Sequence, residues 1–135
     1  MGIVAVTKIG GKYYFGANSK STAYTPADEL AAREMRDTIV KYDPELRLAA
    51  ERGQMPTDAF FHAETTVLLR AARENGGTLA GRTLEVVIDG RLCPSCEKVL
   101  PKVALELGNP TVTFTDRTGR RLTVRDGILL PQEVK

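Results

Sequence analysis

The chain opens on a β-branched, apolar stretch, Ile3-Val4-Ala5-Val6-Thr7-Lys8-Ile9, which predicts a strand. Gly10-Gly11 follows, a signal for a tight hairpin, and Lys12-Tyr13-Tyr14-Phe15 predicts the returning strand. A polar stretch then leads to Thr25-Pro26-Ala27-Asp28, with threonine as N-cap, proline in the first turn and an acid soon after. Ala27, Leu30, Ala31, Met35 and Ile39 recur at steps of three and four, predicting one buried helical face. Pro44, Gly53 and Pro56 interrupt the next stretch, although Glu45 to Arg52 suits a short helix.

From His62 the period is again helical. Ala63, Val67, Leu68, Ala71 and Ala72 line one side, and Asn75-Gly76-Gly77 is a stop. Leu84-Glu85-Val86-Val87-Ile88 predicts a strand, and its nearly continuous apolar run suits a buried central position. Val99 to Leu107 has a helical pattern, in which Pro101 predicts a kink or a restart. Thr111 to Thr115 and Arg120 to Val124 predict two strands joined by Asp116-Arg117-Thr118-Gly119, a second hairpin. The order β-β-α-α-β-α-β-β predicts an α/β fold with a mixed five-stranded sheet flanked by helices and a C-terminal β-hairpin.

Length and composition add bounds. The 135 residues suit a single domain, and 42% hydrophobic residues are enough for a core. Lys and Arg exceed Asp and Glu by only 19 to 17, so net charge alone neither demands nor excludes a polyanionic partner. No apolar run approaches the roughly 20 residues of a membrane span, and no segment reads as a signal peptide.

The chain has two cysteines, Cys93 and Cys96, and one histidine, His62. Cysteines three positions apart close too short a loop to gain much from a disulfide, and suit a metal or a redox pair better. His62-Ala63-Glu64 stands where a helix begins, and Cys93-Pro94-Ser95-Cys96 stands between a strand and another helix. Pro94 at a first turn loses no hydrogen bond, and the positive end of that helix favours thiolates. Two such helix starts beside one sheet edge gather an imidazole and two thiolates, three zinc ligands with a fourth position left for water. Glu64, close to the metal without ligating it, is placed to act as base and then as acid. The chemistry implied is hydrolytic loss of ammonia from an amino-substituted heterocycle. A structural zinc would want a fourth protein ligand, and no further Cys or His is present.

His-x-Glu followed by Cys-x-x-Cys resembles the signature of the zinc-dependent cytidine deaminase superfamily. The resemblance implies a cytidine deaminase-like three-layer fold, one catalytic Zn2+ held by His62, Cys93 and Cys96, and Glu64 as the proton carrier. Leu92-Cys93-Pro94-Ser95-Cys96-Glu97-Lys98-Val99-Leu100-Pro101 is similar to bacterial polymorphic-toxin deaminases, which convert cytosine to uracil in nucleic acid. Cys96-Glu97-Lys98 differs from the Cys-Arg-Gln stretch usual in free-nucleoside enzymes, which weighs against a free nucleoside, and the toxin resemblance alone implies DNA, with RNA as the alternative. The same resemblance implies a monomeric effector domain spanning 1–135, cut from the C-terminus of a larger secreted toxin. It would be delivered to the cytoplasm of a target cell and be matched by a cognate immunity protein. A deaminase of free nucleosides or bases, and a non-catalytic zinc-bearing interaction module, are the competing expectations.

Candidate substrate contacts are Asn18, Phe61, Ala63 and Ser95. Asn18 is either a sugar contact, as in related deaminases, or a turn residue in Ala17-Asn18-Ser19. Phe61 is either a stacking partner for an extruded base or a core residue, and Ser95 either seats the exocyclic amine or only starts a helix. Arg117, Arg120 and Arg121 cluster at the last hairpin, where they either track phosphates or form a solvated face.

Overall fold

The computed structural model describes residues 4–53, 60–92 and 94–130, with backbone only for Ala50, Pro94 and Ser95. Strand β1 (Val4–Ile9) turns back through Gly10 and Gly11 into β2 (Lys12–Ala17). Both turn glycines have positive φ (57° and 84°), the backbone that a two-residue hairpin requires. Helix α1 (Pro26–Tyr42) starts in a capping box: the Thr25 hydroxyl accepts from the Asp28 N–H, and the Asp28 carboxylate accepts from the Thr25 N–H. Then follow α2 (Pro44–Glu51), α3 (Ala63–Glu74), β3 (Thr83–Ile88), α4 (Pro94–Glu106), β4 (Thr111–Thr115), β5 (Arg121–Arg125) and β6 (Ile128–Leu129). No helix among the described residues is long and apolar enough to cross a membrane.

Among the described residues the sheet has six strands in the order β2-β1-β3-β4-β5-β6, one more than the five expected. The additional strand is β6, two residues that pair antiparallel with Val124 and Arg125. So short a run carries no alternation for a sequence pattern to register. Only β3 and β4 run parallel, joined through α4, and every other neighbouring pair is antiparallel.

Helices α3 and α4 pack on one face of this sheet, and α1 packs on α3 and α4. Ala5, Leu84, Val86, Ile88, Val112, Phe114 and Val124 point into that interface and are buried, with Ala63, Val67, Leu68 and Ala71 of α3 opposite them. The alternate strand positions Val4, Tyr13, Phe15 and Val87 are exposed, Val87 to 55%. This corrects the expectation that the apolar run in β3 is buried on both faces. β3 is central in its hydrogen bonding, yet among the described residues only one of its faces is covered.

Two further expectations change. On α1, Ala27 and Leu30 are exposed, while Asp28, Ala32 and Ile39 are buried and Ala31 and Met35 half-buried. Helix α4 does not restart at Pro101, which lies buried inside one continuous helical run.

The strand directions decide where the helices begin. β2 and β3 are both antiparallel to β1, and β4 is parallel to β3, so the C-terminal ends of all three lie at one edge of the sheet. The starts of α3 and α4 and the β4–β5 turn all fall along that edge.

Candidate metal centre

His62 is the N-cap of α3, in extended backbone (φ −87°, ψ 164°), and its ring does not cap the helix. Its carbonyl accepts from both the backbone N–H (3.1 Å) and the hydroxyl (2.9 Å) of Thr66, fixing the first turn. Ala63 and Glu64 follow inside the helix, both buried. An acid in this first turn lies at the positive end of the helix dipole.

Cys96, fully buried, lies in the first turn of α4. Its Sγ lies 3.6 Å from His62 Nδ1 and donates to Glu64 Oε2 at 3.0 Å. One ligand atom from each of the three residues falls within 4.8 Å of the other two, so the cluster could hold a metal ion.

The distances bear on which groups would ligate. Zn–N bonds of about 2.0–2.1 Å and Zn–S bonds of about 2.3 Å, opened at the tetrahedral angle, hold N and S about 3.6 Å apart. The His62–Cys96 separation equals that edge. By the same construction two ligands, one oxygen and one sulfur, stand about 3.5–3.6 Å apart. The 3.0 Å between Glu64 and Cys96 is a hydrogen-bonding distance instead. The donor set of His62, Glu64 and Cys96 is compatible with zinc, and the His62–Cys96 pair already stands at the separation of two zinc ligands. Cys93, the third expected ligand, lies outside the described residues, and so does the side chain of Ser95.

The start of α3 is held by β2. A Cβ on Gly16 would stand 2.3 Å from the Ala63 carbonyl and 2.4 Å from the Val67 amide, so only glycine lets the strand come this close. The loop beyond β2 is fastened to the same place, since the Ser19 N–H donates to the Phe61 carbonyl at 2.9 Å. The start of α4 is held from the other side by Asp116. Its Oδ2 accepts from the Leu92 N–H (3.1 Å), and its Oδ1 accepts from Thr118 and from the Arg120 N–H. These bonds, that to the Thr118 hydroxyl first, lower the Asp116 pKa to about 2. Gly16 and Asp116 escaped the sequence reading. The one available sign was a glycine inside a strand pattern, which often marks close backbone approach.

The remaining candidates divide. Asn18 Oδ1 accepts from the Lys20 N–H at 3.1 Å, an Asx turn in the loop fastened beside Phe61. Phe61 is half-buried against the core, with the Arg36 guanidinium 6.0 Å from its ring centre, whereas Phe60 is fully buried. Ala63 is fully buried at the close approach of Gly16. The hairpin arginines do not share one surface. Arg120 pairs with Glu97 at the start of α4, while Arg121 meets Glu85 at 3.7 Å on the uncovered sheet face. Arg117 is exposed, and its backbone N–H donates to the Gly90 carbonyl.

No protein-family model and no curated protein matches this chain.

Proposed function

We propose that the chain is a zinc-dependent deaminase that converts cytosine to uracil in DNA. The observation that carries the reading is the 3.6 Å approach of His62 Nδ1 to Cys96 Sγ with the buried Glu64 carboxyl against the thiol. His62 and Cys96, with Cys93 from the sequence motif, would hold the ion. When bound, zinc supplies acidity, lowering the pKa of a water molecule from 15.7 to about 7. Glu64 takes a proton from the attacking water and delivers it to a ring nitrogen, then assists departure of the amine as ammonia. Cytosine and water thus become uracil and ammonia, without an oxidant or reductant. Burial of Glu64 keeps bulk water from competing for that proton.

DNA as the substrate rests on the similarity of Leu92 to Pro101 to the polymorphic-toxin deaminases, and the effector role and immunity partner rest on it too. A base inside a duplex must be extruded before this chemistry reaches it, so single-stranded substrate is the simpler case. The division of Arg120 and Arg121 between two faces favours a second reading, a deaminase of free nucleosides, which needs no phosphate track.

Zinc content and uracil formation decide between them. Purified chain should carry one zinc and convert cytosine in DNA oligonucleotides, and Glu64→Ala should keep the zinc and lose activity by about 10²-fold or more. Activity on free cytidine alone establishes the second reading. Bound zinc with no deamination of DNA, RNA or cytidine reduces the chain to a zinc-bearing module, and absence of zinc overturns both readings.

A further inference from the structure

We infer that Asp116 is a positioning residue for the metal centre, acting through the backbone of Leu92 on the segment that enters α4. The inference rests on the metal-centre reading above. Asp116 belongs to the β4–β5 turn, twenty residues beyond the last cysteine of the Cys-x-x-Cys motif, yet that turn reaches the residues flanking the motif by three contacts. Asp116 Oδ2 accepts from the Leu92 N–H, the Arg117 N–H donates to the Gly90 carbonyl at 3.0 Å, and Arg120 pairs with Glu97. Leu92 immediately precedes Cys93, and Glu97 immediately follows Cys96, so the motif is gripped at both ends.

The two oxygens of Asp116 divide the work. Oδ1 accepts from the Thr118 N–H, the Thr118 hydroxyl and the Arg120 N–H, which closes the turn, while Oδ2 alone reaches out to Leu92. Leu92 and Asp116 are both buried, so this bond is shielded from competing water. Groups that orient metal ligands typically govern affinity by about 10–100-fold, and a ligand loop anchored at its entry loses less freedom when the ion binds.

Asparagine separates the two tasks. In Asp116→Asn the remaining oxygen can keep its turn bonds, while the amide N–H group replaces Oδ2 and sets donor against the Leu92 donor. Thr118→Val does the reverse, removing one turn bond and leaving the Leu92 bond intact. Zinc affinity, measured by competition with a chromophoric chelator well below each variant's melting temperature, should fall about tenfold in Asp116→Asn and stay unchanged in Thr118→Val. Equal affinity in all three proteins, or equal losses in both variants, overturns the inference and leaves Asp116 a turn residue. A wild-type chain that takes up no zinc overturns the metal-centre reading together with it. Should Asp116→Asn fail to fold, amide hydrogen exchange on the wild type decides the matter: the Leu92 N–H should be protected, and exchange at the rate of an open loop overturns the inference.

Discussion

Arg70 on α3 grips the buried Asp28 on α1 with two nitrogens, and its remaining reach goes to two backbone carbonyls. Nε and Nη2 meet the carboxylate, Nη1 donates to the Phe15 carbonyl at 2.9 Å, and Nη2 also donates to the Ala23 carbonyl at 2.7 Å. One guanidinium thus joins the second strand, the loop that follows it, the cap of α1 and the helix that begins at His62. Arg70→Ala should cost about 3–5 kcal/mol, because it leaves a buried carboxylate with the Thr25 N–H and, among the described cations, only the more distant Arg73. Arg70→Lys should recover only part of this, since an ammonium cannot reproduce the fork. Urea denaturation of the three proteins tests the ranking.

Acid should act on this pair and on the β4–β5 turn. Burial raises the Asp28 carboxyl, but the bonds from Arg70 and Thr25 outweigh it and hold the group well below its ordinary 3.8. Asp116 is likewise held low, at about 2. An unfolded chain binds protons near the ordinary value and the folded chain does not, so stability is fully present above that value. It is lost as pH falls through 3.8 toward 2, with the Asp28 share still eroding below. Denaturation midpoints between pH 5 and pH 2 should drop steeply for wild type and less steeply for Asp28→Asn.

Gly16→Ala should disturb the candidate centre from outside it. The new methyl would collide with the Ala63 carbonyl and the Val67 amide, backbone atoms that cannot rotate away. Overpacking of this kind costs about 1–3 kcal/mol. Because the displaced atoms belong to the turn carrying His62 and Glu64, zinc affinity should fall along with the melting temperature.

The two faces of β3 should answer differently to the same change. Val86 is fully buried and Val87 is 55% exposed. Val86→Thr puts a hydroxyl into the core and should cost about 1–3 kcal/mol, while Val87→Thr should stay within about 0.5 kcal/mol. Thermal melts of the two variants separate a one-sided from a two-sided sheet.

Most of the architecture was legible because each element carries its own local signal. Gly10-Gly11 announced the first hairpin, Thr25-Pro26 the start of α1, and Asn75-Gly76-Gly77 the end of α3. The strand predicted over Thr111 to Thr115 coincides with β4. The failures arose where tertiary partners decide. The buried face of α1 is built around Asp28, and no hydrophobic pattern reports a carboxylate that is buried only because Arg70 meets it. The apolar run of β3 suits a buried central position, yet Val87 is exposed, because apolar character says nothing of which sheet face a helix covers. At the candidate centre, residue types and spacing pointed to His62, Glu64 and Cys96, which lie together. The contacts that bring their two helices to one place lie far away in sequence, at Gly16, where a glycine inside a strand pattern is the single sign, and at Asp116, which nothing local marks.

The alignment of three strand ends divides the molecule into a working rim and a wiring rim. The described residues of the candidate centre, with Gly16 and Asp116, sit on the first, whereas the turns at Gly10-Gly11, Gly76-Gly77 and Asp126-Gly127 lie on the second. New termini or an inserted segment at the wiring rim would leave the scaffolding of the candidate centre in place. Cutting the chain between Thr118 and Gly119 would unfasten it.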